Sequence, residues 1–178
     1  MNSKRRVLIA GIPLLPAFTA CGSFGANRYD RHPSDLGLVV RYELAPGSAP
    51  KEGVEALSDS GYRLFGPAIL DHRNPGTTGI GGGGKVSFPR WVRITWREGT
   101  TPGKYWTTGK VIGDYTVNVL GRLPDELFTL AKAGPRRAIT LHFRLVDKGV
   151  QFGWSIQDGS RLGGYKHIYR GGDFEIDS

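Results

Sequence analysis

"ITLHFRLVDKGVQFGWSI", Ile139 to Ile156, is the stretch whose reading decides the fold. Ile139, Leu141, Phe143 and Leu145 alternate with Thr140, His142 and Arg144, the period of a strand with one buried face. Lys148-Gly149 supplies turn chemistry, and beyond it Phe152, Trp154 and Ile156 again share a face. Two alternating runs around a short turn make a β-hairpin.

Working outward, other segments carry the same period. "LGLVVRYELA" from Leu36 is apolar and β-branched, and "YRLFGPAIL" from Tyr62 is a further strand with Gly66-Pro67 as a bulge or edge. In "KVSFPRWVRITWRE", Val92, Ile94 and Trp96 alternate with Arg93, Thr95 and Arg97, which reads as a strand pair or a bent strand. "DYTVNVL" from Asp114 is another strand. "PGSAPKEGVEALSDSG", Pro46 to Gly61, reads as a loop with one helical turn around Gly53 to Leu57.

One helix is expected. In "LPDELFTLAKAG", Pro124 stands at the start, Asp125 and Glu126 occupy the first turn, and Gly134-Pro135 stops the run. Leu127, Phe128, Leu130 and Ala131 form its apolar stripe. The expected class is therefore mainly β (α+β): a single antiparallel β-sandwich or curved sheet with one short helix packed on it. There is no internal repeat and no sign of a second domain.

The glycine stretch "GTTGIGGGGKVSFPRW" satisfies two nucleotide patterns at once. Gly79, Gly81 and Gly84 fit G-x-G-x-x-G, and Gly79 to Lys85 fit G-x-x-x-x-G-K. Both patterns need a helix after the glycines, whose terminal amides meet phosphate. Here Pro89 and an alternating run follow, and Val86 stands where a P-loop has Ser or Thr for magnesium. Nucleotide binding is set aside in favour of a flexible glycine loop entering a strand, whose bare backbone leaves room for close approach by a partner.

The N-terminus speaks to location. Lys4, Arg5 and Arg6 precede the uncharged run "VLIAGIPLLPAFTA", Val7 to Ala20. That run is shorter than the roughly 20 residues of a spanning helix, and Pro13 and Pro16 interrupt it. A basic start, a short apolar middle and small residues at the end read as a secretory signal over residues 1–20. "FTAC" then places the chain's single cysteine, Cys21, before Gly22 and Ser23.

This resembles the lipobox of bacterial lipoproteins, with Phe18 where Leu is usual. The resemblance implies lipidation of Cys21, which becomes the mature N-terminus. Three acyl chains would then anchor the protein to a membrane, where one chain alone holds only reversibly. Gly22 and Ser23, rather than aspartate, imply the outer membrane, on its periplasmic face, over the inner membrane. Cleavage would remove three positive charges and lower the formal net charge from +8 to +5. Residues 21–35 read as a lipidated tether and residues 36–178 as the β-rich domain.

Catalytic and metal motifs are missing from the sequence. No G-x-S-x-G occurs, and His32, His72, His142 and His167 show neither H-x-x-x-H nor H-E-x-x-H spacing. His142, on the polar side of its strand, reads as a surface histidine. Asp71 beside His72 would pair catalytically only in a loop, because neighbouring strand residues point to opposite faces. The mature charge is modest and mixed in sign, which does not favour nucleic acid. No cofactor and no enzymatic activity are expected.

What remains is a binding protein, with two candidate surfaces. One is the loop carrying His72, Arg73 and Asn74 with the glycine run. The other is "TPGKYWTTGK", where Lys104, Tyr105 and Trp106 sit among turn residues, as aromatic and basic hot-spot anchors do. Packing of Trp106 in the core is the alternative.

Taken together, "FTAC", "GGGGKVSFPRWVRITW" and the closing hairpin resemble a loose group of small bacterial lipoproteins with domains of unknown function. Some of that group are similar to immunity proteins encoded beside type VI secretion lipase effectors. Related sequences often carry a cysteine pair after the glycine run, where this chain has Val86 and Ser87. The resemblance implies a protein that binds and blocks a phospholipase arriving in the periplasm. An envelope structural or assembly lipoprotein, binding a resident membrane protein or glycan, is the alternative.

Overall fold

The computed structural model describes residues 36–81, 88–101, 107–134, 136–159 and 166–176. Among the described residues nine strands and one α-helix follow in chain order: β1 (Gly37–Leu44), β2 (Lys51–Ser58), β3 (Arg63–Leu70), β4 (Gly76–Gly81), β5 (Trp91–Glu98), β6 (Lys110–Asn118), α1 (Asp125–Lys132), β7 (Arg137–Val146), β8 (Gly149–Asp158) and β9 (Lys166–Gly172). They form a five-stranded sheet of order β4-β1-β7-β8-β9 and a four-stranded sheet of order β3-β2-β5-β6. The molecule is a mainly β sandwich with one short helix.

All strand pairs are antiparallel except β1 and β7, which run parallel with Val40 opposite Leu141 and Tyr42 opposite Phe143. A parallel pair needs a long crossover. Here the whole four-stranded sheet, β4 and α1 lie between the two strands in sequence. β1 and β7 are thus central partners drawn from opposite ends of the domain.

The core is the space between the sheets. Leu38, Val40, Tyr42 and Leu44 of β1, with Ile139, Leu141, Phe143 and Leu145 of β7, face Val54, Ala56, Val92, Ile94 and Trp96 of the other sheet. Tyr42 stacks on Phe65 at 4.6 Å and on Phe143 at 5.3 Å, tying β3 to the central pair. α1 buries Leu127, Phe128 and Ala131 and packs against β7 and β8. Leu130 is partly buried against the same core. Asp125 and Glu126 lie in the helix's first turn and Lys132 in its last, the arrangement that its dipole favours.

The hairpin of β7 and β8 forms with Val146 opposite Gly149, so Asp147-Lys148 makes the two-residue turn. Gly66-Pro67 lies on β3, an edge strand whose register against β2 shifts repeatedly, and its peptide bond is cis.

Two segments depart from expectation. Residues 51–58 form a strand rather than a loop with a helical turn, paired on one side with β3 and on the other with β5. Glu, Ala and Leu favour helix locally, but Val54 and Ala56 fill the core while Glu55 and Leu57 face outward, and packing decides. The glycine stretch also begins as a strand: Gly76–Gly81 pairs antiparallel with the edge of β1. A backbone ladder needs no side chains, so glycine and threonine serve there. Residues 82–87 lie outside the described residues.

After β9 the chain folds back. The Asp173 N–H donates to Phe152 O and its Oδ2 accepts from Phe152 N–H, both at 2.9 Å. Arg122 pairs with the same carboxylate. Residues 173–176 then cross the outer face of the five-stranded sheet as a strap, with Phe174 3.9 Å from the Arg144 guanidinium and Ile176 buried.

Candidate functional site

His72 and Arg73 lie in an exposed five-residue connection, Asp71 to Pro75, between β3 and β4. These are the edge strands of opposite sheets, so the connection forms a corner of the sandwich. Asp71 holds it in shape: its Oδ1 accepts from the Arg73 N–H at 2.8 Å and the Asn74 N–H at 2.7 Å. Its own N–H donates to Asn74 O at 3.2 Å, and the Leu44 N–H donates to Pro75 O. Those amides at Asn74 and Arg73 hold the Asp71 carboxyl below the usual range.

The corner is a loop, as an Asp71–His72 pair would have required. The carboxylate nevertheless binds backbone amides rather than the imidazole. Beside the corner lies an open groove of about 410 Å³ lined by Phe65, Ala68, Ile69, Leu70, Asp71, Asn74, Gly76 and Thr77. It runs along the seam between the two sheets, with an apolar floor and polar lips. Such a groove beside a turn fixed by side-chain bonds needs little ordering to present one shape. Of the predicted site residues, the structure brings His72 and Arg73 to this corner. Cys21, Lys104, Tyr105 and Trp106 lie outside the described residues.

A second polar cluster occupies the outer face of the five-stranded sheet. His142 is only 3% exposed, which corrects its reading as a surface histidine. The strap covers neighbouring Gly153, and β8 and β9 supply partners on the polar side of the strand. His142 Nε2 and His167 Nδ1 each lie 2.8 Å from Ser155 Oγ, so one hydroxyl bridges two imidazoles. Burial pushes His142 down to about 3, aided by the charges of His167, Arg41 and Arg144. His167 is lowered for the same first reason, with Arg41 and Arg170 contributing.

Both rings are therefore neutral near pH 7. Ser155 is fully buried, and among the described residues no carboxylate bonds to either ring. The arrangement orders protons in a chain; it does not present a nucleophile to a substrate. The sequence carried one unread signal for it. The polar face of the hairpin holds Thr140, Gly153 and Ser155, residues too small for a solvated face.

The outer face of the four-stranded sheet is a third, flatter surface. Arg93 binds Asp114 through both carboxylate oxygens at 2.7 and 2.5 Å, and Arg63 pairs with Glu55 at 2.6 Å. Arg97 on the same face donates to Gly109 O at 3.1 Å. Among the described residues no group of three or more His, Cys, Asp or Glu could hold a metal ion, and no helix is long and apolar enough to cross a membrane. No protein-family model, no curated protein and no solved structure matches this chain.

Proposed function

We propose that this chain is a lipid-anchored periplasmic binding lipoprotein of the outer membrane, an immunity protein that binds and blocks a lipase effector delivered by type VI secretion. One structural observation carries the binding reading: the β3–β4 corner presents His72 and Arg73 on a turn fixed by Asp71, beside a groove with an apolar floor. An inhibitor needs a rigid, shaped surface with a few anchors and little chemistry, because occluding a cleft suffices. The lipobox-like "FTAC" supports the anchored half of the reading. It sets Cys21 15 residues before the first described residue, Leu36, a length of chain that lets the domain stand off the lipid surface.

The test is a capture experiment with the full chain in detergent, against lysate of a producing strain with secretion active. A secreted lipase retained stoichiometrically, and inhibited while bound, is the expected result. Arg73→Glu should weaken that capture at least tenfold, the effect of about 1.4 kcal/mol at an interface. Retention of outer-membrane proteins or cell-wall glycan alone would overturn the immunity reading in favour of envelope assembly. The anchor has its own check. Cys21→Ser should abolish metabolic labelling with a palmitate analogue and release the protein from the membrane fraction.

A further inference from the structure

The outer face of the five-stranded sheet carries a cleft that recognition through the β3–β4 corner does not use. It measures about 140 Å³ and is lined by Arg41, Glu43, His142, Arg144, Phe174 and Ile176. We propose that this cleft is a binding site for a small oxyanion, a carboxylate or phosphate group, held between the Arg41 guanidinium and the Nδ1–H of His142. This goes beyond the effector-binding reading and does not depend on it.

The charges in the cleft are unequal. Arg144 is paired with Glu43 and packed on Phe174, which fixes it and offsets part of each charge. Arg170 gives a hydrogen bond to Ile176 O at 2.5 Å and so helps to hold the strap. Arg41 stands opposite His142 in the register of β1 and β7, and among the described residues no carboxylate pairs with it. One guanidinium is left over at the cleft. Its field, with those of His167 and Arg144, adds to burial in keeping His142 uncharged.

The second donor requires one of the two proton orders that the Ser155 bridge allows. With both imidazoles neutral, His167 Nδ1–H can donate to Ser155 Oγ, and the Ser155 hydroxyl to His142 Nε2. A neutral imidazole that accepts at Nε2 carries its proton at Nδ1. No hydrogen bond occupies that Nδ1 among the described residues. A charged fork and a neutral donor thus meet in one recess, the pattern that recognises an oxyanion.

Phe174 and Ile176 wall the recess with apolar atoms, and lowered dielectric strengthens such bonds. The volume falls below the roughly 300–1,000 Å³ of sites for drug-sized molecules. It suits an anionic group and not a whole nucleotide.

The experiment follows the imidazole nitrogens of the full chain by long-range proton–nitrogen correlation while sodium phosphate or sodium acetate replaces chloride at constant ionic strength. A saturable shift at His142 with at least one of the anions is expected, and its protonation midpoint should rise, since a bound anion offsets the charges of His167, Arg41 and Arg144 that hold it down, while Glu43 is engaged by Arg144 and Arg170 by the strap. Arg41→Gln should weaken binding about tenfold, as loss of a charge-assisted bond does. Lys110→Gln, an equal charge loss on the other sheet, should leave it unchanged.

Anionic phosphatidylglycerol vesicles, compared with free phosphate at the same phosphate concentration, distinguish the source. A shift with vesicles alone assigns the group to a lipid headgroup, and a shift with free anion alone to a soluble ligand. Absence of any saturable shift with phosphate, acetate and vesicles, or equal affinity in Arg41→Gln, overturns the proposal.

Discussion

At Gly153 a Cβ would stand 3.2 Å from both Gly171 O and Ile176 Cδ1, and 3.4 Å from Phe174 Cζ. The strap crosses the sheet at a position on that face where β8 offers no side chain. Gly153→Val should therefore lift residues 173–176 and cost about 1–3 kcal/mol, measured as a fall in the urea midpoint. His142 makes a prediction at the same scale. Its native affinity for protons lies far below the ordinary histidine value of 6.5, so the unfolded chain binds more protons in the window between the two. Stability is full above about pH 6.5 and falls as pH drops below it, by about 2 kcal/mol between pH 7 and 5. Urea titrations at pH 7, 6 and 5 should show that loss, with His167 adding to it in the same direction. His142→Gln should flatten the profile; an equally steep profile in the variant would place the titration elsewhere.

Among the elements, the β7–β8 hairpin is deeply buried and the most readable. Leu141 and Phe143 are fully buried on one face, and Leu141→Ala should cost about 2–5 kcal/mol. The strap is its opposite, short and held by polar ties. Asp173 bonds the Phe152 amide and pairs with Arg122, which keeps its carboxyl below the usual range. Asp173→Ala should cost about 1–2 kcal/mol and speed hydrogen exchange at the Phe152 amide while exchange within α1 stays unchanged. β2 shows why element type was harder to read than element position. "KEGVEALS" holds good helix formers, but its place between β3 and β5 gives Val54 and Ala56 a buried face that no isolated turn could supply.

For the whole molecule, the question is what joins two sheets that share no backbone ladder. Apolar packing does most of it, and a buried lysine adds a polar tie across the layers. Lys51, at the start of β2 and 5% exposed, reaches Asp147 in the β7–β8 turn at 3.2 Å and Ala49 O at 2.9 Å. Its ammonium also lies 5.6 Å from the Trp96 ring. Asp147 is exposed, so the two partners are unequal. Asp147→Ala strands a buried cation and should cost about 1–3 kcal/mol, whereas Lys51→Met removes the charge and should cost less. The reverse order of urea midpoints would show that the tie is not electrostatic. Along the β3–β4 edge, by contrast, a groove remains open between the sheets.

The sequence by itself determined the mainly β class, the β7–β8 hairpin and its inward residues, and α1 with its stops. Each depends on a period or a local end signal. His72 and Arg73 were legible as a polar loop for the same reason. Tertiary structure alone decided that β1 pairs parallel with β7, that helix-favouring residues 51–58 are a strand, and that Gly76–Gly81 joins the edge of β1. It alone buried His142 beneath a strap from the chain's far end and joined it through Ser155 to His167. Alternation tells which residues share a face. Whether a second layer covers that face depends on contacts between residues distant in the chain, and those exist only once it has folded.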